Sequence, residues 1–136
     1  MYETFAHTAD LGLRVTAPDL DTLFADAGGG LFSILVENLD AVRSVHTLSL
    51  HIDGADTVYL FFDWLNELLY RFESERWLLV DFTVHVGDTG LDAEARGERW
   101  DPHRHALDHE VKAITYHGLR VDATPDGWLA EVIVDI

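Results

Sequence analysis

The chain contains no cysteine and only one lysine. Without cysteine there can be no disulfide, no thiolate metal ligand and no cysteine nucleophile. No stretch approaches the run of about 18 apolar residues that a membrane-spanning helix needs. The opening residues, MYETFAHTAD, have neither the basic start nor the apolar run of a secretory signal. The sequence therefore predicts a cytoplasmic protein without membrane association.

Positive charge is also scarce in this chain. Its 136 residues include 25 Asp and Glu against 9 Lys and Arg, which gives a formal net charge of −16. Affinity for nucleic acids comes largely from cations that neutralise phosphates, so strong direct binding to RNA or DNA is not expected. Such a surface suits a basic protein partner or bound cations instead.

What the chain does contain is the patterning of one folded domain over residues 1–136. Two segments, PDLDTLFADAGGGLFSIL and DTVYLFFDWLNELLYRFES, repeat apolar residues at helical spacing. Asp19 or Asp21 can cap the first helix, and Asp56 can cap the second. Alternating segments elsewhere predict about seven strands, and the later ones follow one another without helical crossovers. The predicted fold class is α+β, a mainly antiparallel β-sheet with two packed helices.

Three consecutive glycines, Gly28, Gly29 and Gly30, lie inside the first helical segment. Each costs a helix about 1 kcal/mol relative to alanine. A phosphate-binding loop would need a strand before the glycines and a Gly-Lys-Ser/Thr sequence after them, and both are missing. The glycines therefore predict a weakened or kinked helix.

Residue spacing alone identifies no active site. His103, His105 and His109 lie close together, but an Asp-Pro pair indicates a loop and the spacing of zinc ligands is absent. They are expected to be solvated loop residues. The acidic stretch DAEARGE (Asp92–Glu98) is expected to be a solvated face. No Gly-x-Ser-x-Gly elbow and no dinucleotide-binding fingerprint is present.

The stretch AHTADLG is one of two that still stand out. Its His7 and Asp10 lie in a polar break between apolar segments. A functional pair is one interpretation of them. The other is that Thr8 and Asp10 simply cap a turn.

The second stretch, EVKAITYHG, contains the one lysine, Lys112. We expect Lys112 within a strand, on the same face as Glu110, Ile114 and Tyr116. It then either serves a function or pairs with Glu110 on the sheet surface.

These stretches also carry a resemblance to a known family. HTADLGLRV, DWLNELLYRF, Gly97–Glu98, EVKAITYHGLRV and VIVDI resemble the archease family, in order, between Phe5 and Ile136. The resemblance implies an accessory protein that is not an enzyme. Such a protein stimulates guanylylation and multiple turnover of a GTP-dependent RNA ligase, which joins 3′-phosphate and 5′-hydroxyl ends in tRNA splicing or RNA repair.

The resemblance also implies particular functional residues. Asp10, Asp135 and Ile136, the last through its terminal carboxylate, would hold a divalent cation, most often Ca²⁺, and Lys112 would be needed for ligase stimulation. Carboxylates are hard oxygen donors that suit Ca²⁺ or Mg²⁺. Two alternatives stay open. One is a metal-dependent phosphohydrolase with His7 as acid or base, and the other is a chaperone-like interaction domain whose acidic residues serve solubility.

Overall fold

The computed structural model describes residues 1–136, with two helices and eight strands in the order β1-β2-α1-β3-α2-β4-β5-β6-β7-β8. The helices are α1 (Leu20–Leu35) and α2 (Thr57–Glu75), and a short 3₁₀ helix covers Leu39–Ala41. The strands are β1 (Tyr2–His7), β2 (Asp10–Ala17), β3 (His46–Asp53), β4 (Trp77–Val86), β5 (Gly90–Arg99), β6 (Ala113–Ile114), β7 (Arg120–Thr124) and β8 (Gly127–Asp135). Every strand pair is antiparallel, which confirms the α+β class.

The strands divide between two sheets that share one core. The first sheet has the order β1-β2-β8-β6, with β7 also paired to β8, and the second has the order β3-β5-β4. Helix α1 packs against β2 of the first sheet and β4 of the second. The indole Nε1 of Trp64 donates a hydrogen bond of 2.8 Å to the carbonyl oxygen of Phe24, which joins the two helices. Neither helix has the length and apolar character to cross a bilayer.

Local sequence rules account for both helices. The Asp19 side chain accepts a hydrogen bond from the amide of Thr22, so Asp19 rather than Asp21 caps α1. The Asp56 side chain caps α2 as predicted, by accepting from the amide of Val58. Side-chain caps of this kind satisfy amide groups that have no partner inside the helix.

The triple glycine does not interrupt α1, which is continuous from Leu20 to Leu35. A Cβ atom on Gly28 would lie 3.0 Å from the ring of Phe82, and one on Gly30 would lie 2.6 Å from Leu13 Cδ1. The glycines therefore remove side-chain bulk where α1 meets β4 and β2. Packing explains Gly28 and Gly30, whereas a Cβ atom on Gly29 would meet its nearest atom, of Tyr2, at an ordinary 3.5 Å.

The strand expected around Lys112, in EVKAITYHG, is wrong for most of its length. Only Ala113–Ile114 and Arg120–Thr124 are strands, and Lys112 lies just before the first of them. Residues 107–109 bind the end of α1 instead, as the Asp108 amide donates to the Leu35 carbonyl oxygen. The expected common face also fails, because Ile114 is buried while Glu110, Lys112 and Tyr116 are exposed.

The extra strand, β1, is an edge strand with mostly exposed residues. Its sequence YETFAH has too little apolar alternation to mark it as a strand. The segment forms a strand because it pairs with β2, from Tyr2 opposite Val15 to His7 opposite Asp10.

The expectation of a solvated acidic face is wrong at Glu98, which is buried. Its carboxylate accepts hydrogen bonds of 2.8 Å from both terminal nitrogens of Arg104 and from the amide of Arg43. His105, expected in solvent, is buried with its Nε2 3.0 Å from the same carboxylate. The Asp101 amide donates to His105 Nδ1, so Nε2 is the ring nitrogen that carries the hydrogen. His103 and His109 are exposed, as expected.

This cluster of Glu98, Arg104 and His105 ties three chain segments together. Glu98 ends β5, Arg43 follows the 3₁₀ helix, and Arg104 and His105 belong to the loop that leads towards Lys112. Hydrogen bonds from Arg104, above all, lower the pKa of Glu98 from 4.5 to about 2. Glu98 therefore stabilises the fold in its ionised form.

Alanine substitution in the glycine run should separate packing from helix propensity. Gly29→Ala should raise the free energy of unfolding by up to about 1 kcal/mol, because alanine favours the helix and the nearest atom, of Tyr2, would be 3.5 Å from the new Cβ. Gly30→Ala should lower it by about 1 kcal/mol or more, because Leu13 is fully buried and has little room to move. Urea unfolding measures both. Equal stability of the two variants would contradict this account.

Removing the Glu98 charge should destabilise the protein in a pH-dependent way. Glu98→Gln leaves the half-buried Arg104 without its anion and should cost about 2 kcal/mol at neutral pH, less than the loss of a partner in a fully buried pair. Because the folded-state pKa is depressed, the wild type's advantage is fully present above pH 4.5 and is lost as the pH falls towards about 2. Urea unfolding of both proteins at several pH values measures it.

The matched control is Glu94→Gln on the same strand. Glu94 is exposed, and its carboxylate lies 3.4 Å from Arg96, which makes a weak surface ion pair. Its loss should therefore cost less than about 1 kcal/mol. An equal effect at the two positions, or no dependence on pH at Glu98, would contradict the role of the buried ion pair.

Candidate functional site

Three of the predicted site residues lie in one row at the end of the first sheet. His7 pairs with Asp10 across β1 and β2. Leu11 pairs with Val134 across β2 and β8, so one further step in the same register places Asp10 opposite Asp135. Directly opposed residues share one face of a sheet. The strand pairing thus gathers residues separated by more than a hundred positions in sequence.

Neither aspartate in this row has a cationic partner among the side chains of Lys and Arg. Both are half-buried, and the one basic side-chain atom within 4.0 Å of either carboxylate is His7 Nδ1, 4.0 Å from Asp10 Oδ2. The Asp10 carboxylate also makes no hydrogen bond that would cap the turn at Thr8. Like charges directly opposite one another destabilise a sheet. No lysine or arginine lies within 4.0 Å of either carboxylate to offset that cost.

Other carboxylates on the same face of the sheet have arginine partners. Glu3, Arg14, Glu131 and Arg120 form a row of alternating charge across β1, β2, β8 and β7. Arg14 lies 2.9 Å from Glu3 and 2.8 Å from Glu131, and Arg120 Nε donates to Glu131 at 2.8 Å. Arginine side chains therefore neutralise Glu3 and Glu131, whereas no arginine or lysine side chain neutralises Asp10 or Asp135.

His7 adds an unsatisfied polar atom to the site. Its Nδ1 is buried and has no hydrogen-bond partner, and its ring centre lies 5.5 Å from that of His117. The adjoining turn is strained at Thr8, whose φ of 48° is unusual for a residue with a side chain. His117 was missed by the sequence analysis, because no spacing rule connects it with a residue in the first hairpin.

Lys112 lies beside the C-terminal end of β8. Its amide donates a hydrogen bond of 2.8 Å to the carbonyl oxygen of Asp135, and Ala113 pairs with Asp135. Ile136, which follows Asp135 in the chain, packs its side chain against the core. The structure thus brings Asp10, Asp135, Ile136 and Lys112 to one end of the sheet, with His7 at its rim.

The Lys112 side chain is exposed and has no carboxylate within 4.0 Å, so the alternative of a surface pair with Glu110 is wrong. Its isolation is unusual in this protein. Of the nine basic side chains, five arginines form ion pairs, and Arg76 and Arg99 lie over aromatic rings. Only Arg43 and Lys112 do neither.

The residues of this site suit a hard cation. No group of three or more His, Asp or Glu side chains is arranged to hold a metal ion. The predicted set requires only two such side chains, Asp10 and Asp135, together with the carboxylate of Ile136. Its donors are all carboxylate oxygens, which Ca²⁺ and Mg²⁺ prefer. The uncompensated negative charge of the row is the feature that a cation would relieve.

Fold and site together define a small α+β protein with an acidic site at one sheet end and one free lysine beside it. The chain belongs to the archease family, because residues 2–136 match the Archease protein family. It is 38% identical to the protein archease of Methanopyrus kandleri, over 99% of each chain. It is 34% identical to that of Pyrococcus furiosus, over 99% of this chain and 98% of the relative.

Two solved structures share the fold. The solution structure of protein 1598 from Methanobacterium thermoautotrophicum is 30% identical, with a TM-score of 0.88 over 99% of this chain and 98% of that one. A crystal structure of an archease from Thermotoga maritima, described as a possible chaperone, has a TM-score of 0.67 at 19% identity, over 100% of this chain and 98% of that one. The second similarity concerns the fold alone.

Proposed function

We propose that this archease is a cytoplasmic metal-binding accessory protein that stimulates guanylylation and multiple turnover of a GTP-dependent RNA ligase. The ligase joins 3′-phosphate and 5′-hydroxyl ends in tRNA splicing or RNA repair, and the archease is not itself an enzyme. The observation that carries the proposal is the placement of two uncompensated aspartates and an unpaired lysine at one end of the sheet.

In this proposal, Asp10, Asp135 and the carboxylate of Ile136 hold a divalent cation, most suitably Ca²⁺. When bound, the cation supplies fixed positive charge at a site that otherwise repels itself. Asp10 and Asp135 provide oxygen donors from adjacent strands, and the β2–β8 register holds them in place. His7, with Nδ1 4.0 Å from Asp10 Oδ2, borders the site.

Lys112 has a separate role in this proposal. Its ammonium group is a compact charge on a flexible stem, and it is free of carboxylate partners. It would reach a phosphate or a carboxylate at the active site of the ligase. The net charge of −16 fits docking on a basic RNA-binding enzyme that makes the RNA contacts itself.

The metal site can be tested with the archease alone. Calcium should raise the Tm of the wild type, corresponding to about 2.7 kcal/mol when free Ca²⁺ is a hundred times its dissociation constant. Asp10→Asn, Asp135→Asn and a short glycine–serine extension after Ile136 should each remove most of this rise. The extension converts a ligand carboxylate into a neutral amide. Calorimetric titration with Ca²⁺ measures the affinity directly.

Two controls keep this test specific. The same extension before Met1 leaves the site intact, and Asp126→Asn removes one charge from an exposed turn. Both proteins should bind Ca²⁺ as the wild type does. Unchanged binding by the C-terminally extended protein would exclude its carboxylate as a ligand. Metal-dependent phosphate release from model substrates, lost in Asp10→Asn, would favour a phosphohydrolase over an accessory protein.

Lys112→Ala should abolish stimulation of the ligase and leave stability nearly unchanged. The side chain has no ion-pair partner, so its loss should change the free energy of unfolding by less than about 1 kcal/mol. Stimulation is measured as guanylylation of the ligase with GTP, in the presence and absence of the archease.

Arg43→Ala is the matched control, because Arg43 is the other basic side chain without an ion pair or an aromatic partner. It should stimulate guanylylation normally. Full stimulation by Lys112→Ala would contradict the role of the lysine. A wild-type protein that binds the ligase but changes neither guanylylation nor turnover would point to a chaperone-like interaction domain.

A further inference from the structure

Three aromatic rings form an exposed patch next to the candidate site. The rings of Phe62 and Tyr116 are stacked, with centroids 3.9 Å apart and planes 16° apart. Tyr59 meets Tyr116 edge to face at 5.9 Å. Tyr116 immediately precedes His117, whose ring lies 5.5 Å from His7. We call Tyr59, Phe62 and Tyr116 the tyrosine patch.

The tyrosine patch is not part of the core. Tyr59 is 57% exposed and Tyr116 is 56% exposed, and only Phe62 is partly buried. Tyr70, on the same helix, is 59% exposed but has no aromatic neighbour. Clustered exposed tyrosines are characteristic of residues that anchor a partner, since they present a large rigid surface with a polar tip.

Charge around the tyrosine patch specifies the partner's chemistry. Asp56 precedes Tyr59 by three residues and Asp63 follows it by four, so both lie on the same face of the α2 region. Both aspartates are exposed. A cation that approached the rings would therefore meet carboxylates on either side of Tyr59.

The chain's own arginines show which cation fits an aromatic face. The guanidinium of Arg14 lies 4.7 Å from the centre of the Phe5 ring, and that of Arg99 lies 5.0 Å from the Trp77 ring. No arginine or lysine of this chain lies over the tyrosine patch. A guanidinium stacks on an aromatic ring and pairs with a carboxylate at the same time, which an ammonium group does less well.

We infer that the tyrosine patch is a docking site for an arginine side chain on the surface of a basic protein partner. The inference rests on the proposed function, which makes that partner the RNA ligase. Docking at the patch and stimulation by Lys112 are then separate tasks of neighbouring surfaces. Loss of the patch weakens binding, whereas loss of the lysine leaves binding in place.

Titration calorimetry with the ligase and the full-length archease tests the inference. The double variant Tyr59→Ala/Tyr116→Ala should bind the ligase at least about tenfold more weakly than the wild type, as expected for loss of an anchor residue. Tyr70→Ala is the matched control, with equal exposure on the same helix, and should bind as the wild type does. Melting of each variant verifies that it is folded.

Two further double variants identify the chemistry of the contact. The double variant Tyr59→Phe/Tyr116→Phe keeps the aromatic faces and should retain affinity. The double variant Tyr59→Leu/Tyr116→Leu keeps apolar surface without an aromatic face, and should lose as much affinity as the alanine pair. Lys112→Ala should bind normally while it fails to stimulate.

The outcomes separate this inference from the proposed function. If the wild type does not bind the ligase, the proposed function fails and the docking site fails with it. If the wild type binds and the alanine pair binds equally well, the docking site is wrong and the proposed function stands. Full affinity of the leucine pair would exclude an arginine contact. Weaker binding of the alanine pair to a single-stranded RNA, with unchanged binding to the ligase, would assign the patch to a nucleobase instead.

Discussion

The pairing of β2 with β8 joins the two strands on which both the core and the candidate site depend. On one face it places Leu13, Val15, Val132 and Val134 in the interior, each at most 1% exposed. On the other it aligns Asp10 with Asp135. Because side chains alternate between faces, a shift of one residue would expose the apolar set and separate the aspartates. The hydrophobic burial that stabilises the fold therefore also holds together two carboxylates that repel each other.

The few basic side chains of the chain are mostly held by partners within the fold. An acidic protein of this size has few cations, and most of them are committed to neighbouring acids or aromatic rings. Among those acids Glu98 depends most on its cationic partner, because it is buried and its charge would be destabilising without Arg104. The loop that Arg104 and His105 anchor continues to residues 107–109, which bind the end of α1, and then to Lys112 beside β8. The loop that carries the free lysine is thus held at its start by the Glu98–Arg104 ion pair and at its end by β8.

The surfaces proposed to be functional lie close together but differ in physical character. The aspartates at the sheet end present oxygen donors, Lys112 presents a mobile positive charge, and the tyrosine patch presents aromatic faces flanked by carboxylates. The strong negative charge is consistent with recognition of a basic partner, since complementary charge steers association.

The sequence by itself determined the features that depend on near neighbours. The two helices, the Asp56 cap and the antiparallel α+β class follow from periodicity and capping, which act within a few residues. The structure decided between Asp19 and Asp21 as the cap of α1. Asp10 and Lys112 stand out in the sequence itself, but their roles and their association with Asp135 and Ile136 came from resemblance to a family, because spacing alone could not connect the two ends of the chain.

Only the tertiary structure decided what depends on distant partners. The exposed strand β1 exists because β2 pairs with it. The amides of Asp108 and His109 bind the carbonyl groups at the end of α1, so no strand begins at His109. Glu98 and His105 are buried because Arg104 and the Arg43 amide satisfy the carboxylate. The continuous α1 depends on Leu13 and Phe82, which pack against its glycines. In each case the free energy comes from a contact across the fold, and local sequence patterns carry no information about such contacts.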